Sequence, residues 1–128
     1  MIDHITIGVT NFARATAFYD KILAPLGVKR LVDAPVTETD GVRVAGYGDV
    51  RPWFWLAEER PTSGLLHIAF QARTQDEVDA FHAAALRAGG LDNGAPGLRP
   101  HYHPDYYAAF VFDPDGHNIE AVCHAPTP

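Results

Sequence analysis

At 128 residues the chain suits one compact domain and is too short for two independent ones. It is 47% hydrophobic and 20% charged, as ordinary globular proteins are, and its ten basic and sixteen acidic residues give a formal charge of -6 without a Lys/Arg run. That balance argues against a nucleic-acid partner but leaves room for a local anion pocket. No stretch approaches the roughly 20 apolar residues that cross a bilayer, and Met1-Ile2-Asp3-His4 lacks the segments of a signal peptide. The one cysteine, Cys123, forms no internal disulfide; a cytoplasmic location, with Cys123 as a small buried hydrophobe, is the expectation.

Residues 2–8 alternate as a strand, with His4, Thr6 and Gly8 on one face and Asp3, Ile5 and Ile7 on the other. Thr10 or Asn11 caps a helix beginning near Phe12, whose buried stripe is Ala15, Phe18 and Ile22 and which Pro25 and Gly27 stop. Three strands follow at 30–32, 42–47 and 53–56, separated by Pro35 and Asp40-Gly41, then by Gly48-Asp49. Residues 58–64 are a link.

The order then repeats. Residues 65–72 read as a strand, and Thr74 with Glu77 has the spacing of a capping box. Val78, Phe81, Ala85 and Ala88 form the stripe of a second helix ending at Gly89-Gly90. A polar stretch rich in glycine and proline, 93–100, leads into His101-Tyr102-His103-Pro104-Asp105-Tyr106-Tyr107. Residues 108–113 and 118–123 are strands around the Pro114-Asp115-Gly116 turn, and Pro126 and Pro128 fall in a tail.

His4, Ile5, Phe18 and Gly27 recur 63 residues later as His67, Ile68, Phe81 and Gly90. The chain therefore reads as an α+β domain of two tandem βαβββ modules, about 1–62 and 63–124, forming one curved mixed sheet around a cavity with the helices outside. His4 and His67, at matched offsets, face that cavity. Glu120 shares a face with Asn118 and Val122, and a buried carboxylate is costly without a partner. A cation held by His4, His67 and Glu120 removes that cost and keeps coordination positions open. Spacing alone also admits structural histidines and a Glu120 paired with Arg43 or Arg99.

Asp3-His4-Ile5-Thr6-Ile7-Gly8-Val9, Leu66-His67-Ile68-Ala69-Phe70 and above all Phe112-Asp113-Pro114-Asp115-Gly116-His117-Asn118-Ile119-Glu120 resemble the vicinal oxygen chelate superfamily. That group includes glyoxalase I, extradiol dioxygenases, fosfomycin-resistance transferases and bleomycin-resistance proteins. The resemblance implies His4, His67 and Glu120 as ligands of one divalent first-row ion (Fe, Mn, Ni or Zn), a small organic substrate with two adjacent oxygens, and a homodimer. Lyase or isomerase chemistry is slightly favoured; the alternatives are ring-cleaving dioxygenation and non-catalytic drug binding. Bacterial glyoxalase I carries a fourth ligand, a glutamate that the 63-residue offset maps onto Ala57, beside Glu58 and Glu59, so glyoxalase activity is not matched.

His101, His103, Tyr106 and Tyr107 are the candidates for proton transfer, and a regular strand turns only one of the two tyrosines inward. Trp53 and Trp55 on one strand face, with Tyr102, are the candidate substrate contacts. His117, of opposite parity to Glu120, falls outside the metal shell, and His82 faces solvent.

Overall fold

Each predicted cap starts a helix: Asn11 accepts from the Arg14 N–H at 2.9 Å and Thr74 from the Glu77 N–H at 3.1 Å. These open α1 (Phe12–Leu23) and α2 (Gln75–Arg87). Ala15, Phe18, Ile22, Val78, Phe81 and Ala85 are all buried, as their spacing requires. Gly27, at φ 75°, ends the first helical segment after a 3-10 turn through Ala24–Leu26. The computed structural model describes residues 1–34, 39 and 41–126; Pro35, Asp40 and Pro128, read above as breaks and tail, lie outside them. Among the described residues no helix is long and apolar enough to cross a membrane.

The strands are β1 (Ile5–Gly8), β2 (Lys29–Ala34), β3 (Val44–Gly48) and β4 (Pro52–Ala57), then β5 (His67–Gln71), β6 (Leu91–Leu98), β7 (Tyr107–Phe112) and β8 (Asn118–Cys123). Each module is βαβββ, and its sheet is mixed: the orders are β1-β4-β3-β2 and β5-β8-β7-β6, with β1 parallel to β4 and β5 parallel to β8. The predicted single curved sheet is not formed within the chain. β1 and β5 are both edge strands and no ladder joins them; a cavity of about 540 Å³ lined by Asp3, Ile5, Arg51, Trp53, His67 and Gln71 lies there instead. The modules unite beneath the sheets, in one apolar core shared by both helices. Phe54 meets Phe70 edge-on at 5.1 Å, and Trp53 packs on Phe70 at 5.9 Å.

Two further readings are corrected. Much of the polar stretch 93–100 belongs to β6, an edge strand whose ladder to β7 shifts register between Asp92 and Gly94 and again between Gly94 and Gly97. Edges and bulges tolerate glycine and proline, which is why alternation is missing. His82 is mostly covered, with Nε2 2.9 Å from Asp92.

A buried carboxylate fastens the modules together. Asp113, just after β7, accepts from the Tyr19 hydroxyl of α1 at 2.6 Å and from the N–H groups of Asp115 and His117 at 3.0 and 2.8 Å. His117 is buried in turn, with Nε2 donating to the Thr62 carbonyl at 2.8 Å. Thr62, in the link, bonds Gly8 through both its N–H and its hydroxyl. Burial and the neighbouring Asp113 charge push the Tyr19 phenol well above its usual range.

Removing Asp113 leaves a buried hydroxyl and several N–H groups unmatched. Asp113→Ala should cost about 3 kcal/mol in urea denaturation and Tyr19→Phe about 1–2 kcal/mol. A cost near zero for both contradicts this account of the fastening.

Candidate metal and substrate site

β8 lies inside its sheet, where Glu120 pairs with Ala69 on β5 and with Phe110 on β7. Strand alternation puts His67, Phe110 and Glu120 on the face away from α2. Glu120 is only 1% exposed, although Ala69 beside it on the same face is exposed. Its Oε1 lies 2.7 Å from Nε2 of His67, and its Oε2 accepts from the Tyr106 hydroxyl. An ionised carboxylate only accepts, so His67 carries its proton on Nε2 in this pairing. The three residues line a cavity of about 410 Å³ with Tyr102 and Phe110.

No Arg or Lys pairs with Glu120 among the described residues. Arg43 lies over Phe12 at 4.7 Å and Arg99 over Phe110 at 5.4 Å, so neither alternative partner takes the carboxylate. Burial first, then the hydrogen bond and charge of Glu120, drive the Tyr106 phenol upward, so it stays protonated at neutral pH.

The other candidates disperse. Tyr107 points the opposite way, its hydroxyl donating to Asp79 on α2 at 2.6 Å, a bond that helps push it up to about 12. His101 packs on Tyr102 at 4.1 Å and His103 on His124 at 5.8 Å; both are exposed and neither lines the Glu120 cavity. Phe110 was not among the candidates, yet it shares the parity of Tyr106 along the strand, a signal sufficient to find it.

His4 does not join His67 and Glu120. Its side chain is 58% exposed, with Nδ1 2.7 Å from Asp3, which in turn pairs with Arg51 at 3.0 Å. Among the described residues no group of three His, Cys, Asp or Glu side chains is placed to hold a metal ion. One chain thus assembles two of the three predicted ligands, because β1 and β5 belong to separate sheets.

The ladders also revise the internal correspondence. Thr6 pairs with Trp55 as Ala69 pairs with Glu120, so Trp55, and not Ala57, is the module-one counterpart of Glu120. The cause is turn length: 113–117 joins β7 to β8 with two more residues than 49–51 supplies between β3 and β4. The Trp55 ring lies against Gly46, where a Cβ would come within 2.7 Å of it. Glu58 is occupied as well, accepting from the Phe12 N–H at 2.9 Å.

A family model, the Glyoxalase/Bleomycin resistance protein/Dioxygenase superfamily, matches residues 1–121. The chain belongs to this superfamily. No curated protein matches it. A glyoxalase/bleomycin resistance protein from Albidiferax ferrireducens is 27% identical with a TM-score of 0.75, covering 94% of this chain and 95% of its own. A family enzyme from Burkholderia phytofirmans shares the fold at 18% identity and a TM-score of 0.72, covering 97% and 98%. So does the fosfomycin resistance protein of Listeria monocytogenes, solved with Mn(II) and sulfate, at 20% identity and a TM-score of 0.67, covering 94% and 88%.

The opposed directions of the two tyrosines are measurable. In metal-free protein Tyr106→Phe strips a buried carboxylate oxygen of its hydroxyl donor and should cost about 1–3 kcal/mol, whereas Tyr107→Phe, at a more exposed bond, should cost under about 1 kcal/mol. Equal costs in thermal or chemical unfolding would argue against the assigned strand parity.

Proposed function

We propose that this protein is a divalent-metal-dependent enzyme acting on a small organic molecule with two adjacent oxygens, by proton transfer of the lyase or isomerase kind. The observation that carries this reading is Glu120: a buried carboxylate whose oxygens meet an imidazole and a phenol and, among the described residues, no arginine or lysine. An imidazole nitrogen beside a carboxylate is a donor pair suited to Fe, Mn, Ni or Zn. Two donors are too few, and His4 is exposed on an edge of the other module. We therefore assign the third ligand to His4 of a second copy, in a homodimer.

In that dimer the open face of module one in one copy covers the open face of module two in the other. The two four-stranded sheets then form the curved sheet around a cavity that one chain leaves incomplete. Trp53 and Trp55 supply an apolar roof opposite Tyr102, which favours an organic substrate. A divalent ion held by these residues would supply Lewis-acid polarisation of substrate oxygen. Tyr106, protonated and hydrogen-bonded to Glu120, is the group placed to give a proton to the substrate and to recover it. His101 and His103, on the exposed loop carrying Tyr102, stay outside the cavity lining. Tyr107 is engaged by Asp79 and takes no part.

Protein incubated with Fe(II), Mn(II), Ni(II) or Zn(II) should retain about one ion per chain, and His67→Ala and Glu120→Ala should lose it with circular dichroism unchanged. Because a metal ion competes with protons for imidazole and carboxylate donors, affinity should fall as pH is lowered. Mixing His4→Ala with Glu120→Ala and allowing subunits to exchange should restore about a quarter of the wild-type sites, since half the dimers are mixed and each mixed dimer has one intact site. No recovery excludes the shared site, and no metal uptake at all sinks the enzyme reading. Oxygen consumption on adding catechols would move the assignment to ring cleavage.

A further inference from the structure

Arg99 lies against Phe110, one of the residues that line the Glu120 cavity, and has no role so far. Its main chain closes the loop that carries Tyr102 and Tyr106: the N–H donates to the Tyr106 carbonyl at 2.7 Å and its own carbonyl accepts from Tyr102 at 2.9 Å. Its side chain folds back along β6, Nη1 donating to the Gly97 carbonyl at 2.7 Å and Nη2 to that of Ala95 at 2.8 Å. The guanidinium carbon then lies 5.4 Å from the centre of the Phe110 ring, and that ring is 6.0 Å from His67 and lines the cavity.

The berth depends on glycine. A Cβ at Gly94 would lie 3.2 Å from Nη2 and 3.0 Å from Phe110, and one at Gly97 would lie 3.2 Å from Nη1. Four other arginines, Arg14, Arg30, Arg51 and Arg73, sit against carboxylates. Arg99 has none among the described residues; its guanidinium donates to neutral carbonyls, which use one N–H of each terminal nitrogen. The Nε–H and one N–H on each terminal nitrogen remain for an acceptor. In a chain of net charge -6, a half-buried guanidinium fixed over an aromatic ring beside a cavity is a local anion trap. Its planar fork matches a carboxylate.

We propose that Arg99 is the anion-recognition residue of this cavity, and that its ligand bears a carboxylate on a planar body, separate from the oxygen pair offered to His67 and Glu120. The oxygen pair rests on the metal-site reading above; the carboxylate contact does not. Phe110 and Tyr102 give the planar body its flat surfaces, and the distance between Arg99 and the His67–Glu120 pair selects its length.

Two probe pairs test this by NMR on isotope-labelled protein, following the Arg99 Nε–H. In zinc-loaded protein, 3,4-dihydroxybenzoate should bind at least about tenfold more tightly than 3,4-dihydroxybenzamide, and it alone should shift the Arg99 signal to saturation. Arg99→Gln should bring the acid down to the affinity of the amide while leaving the amide affinity and zinc content unchanged. Arg99→Lys, which keeps the charge without the fork, should retain part of the preference. Benzoate against benzamide in metal-free protein separates the two readings: a saturable Arg99 shift with benzoate supports the anion site even if zinc uptake fails. Equal affinities of acid and amide, a preference that survives Arg99→Gln, or no saturable shift with either carboxylate would overturn the proposal.

Discussion

The Asp113 carboxylate is the constraint on which the geometry of this domain depends. It lies in the turn that launches β8, yet its hydroxyl donor, Tyr19, is on the helix of the other module. Through His117 the same turn grips Thr62, and Thr62 grips the end of β1. Helix, link and final strand are thereby located relative to one another within a few residues of Glu120. A charged group at such a depth is tolerated because several donors converge on it, and those donors come from both halves.

Much of this architecture was legible in the sequence because local chemistry and long-range packing agree. Asn11 and Thr74 cap, Phe18 and Phe81 bury, and Gly27 turns, all at positions their side chains favour. Tyr106 and Tyr107 had to face opposite ways, and they do. β6 was illegible for a physical reason: at an edge with two bulges, neither alternation nor the exclusion of proline holds. The separation of the two sheets was equally hidden, since matched offsets for His4 and His67 say that the halves resemble each other and not that their edges join.

The site itself divides along the same line. Glu120 was recognisable as a buried carboxylate in need of a partner, and its partners are in reach, at His67 and Tyr106. His4 was recognisable through repetition and through the resemblance of its motif, and neither carries information about distance within one chain. Module one has spent its equivalent face on aromatic cover: Trp55 lies where the repeat would set a carboxylate, over a glycine that leaves room for its ring. At this rung one half therefore offers a carboxylate with its imidazole and phenol partners, and the other offers an indole.

The unequal turns have a last consequence. Side chains on a strand face alternate sides, so two additional residues ahead of β8 change which residue stands at a given rung without changing the side it faces. One additional residue, or three, would have driven Glu120 inward against α2 and brought Ile119 or Ala121 out to the open face. Length variation in this hairpin is thus quantised in pairs: even steps exchange the chemistry displayed at the rung, and odd steps turn the strand inside out.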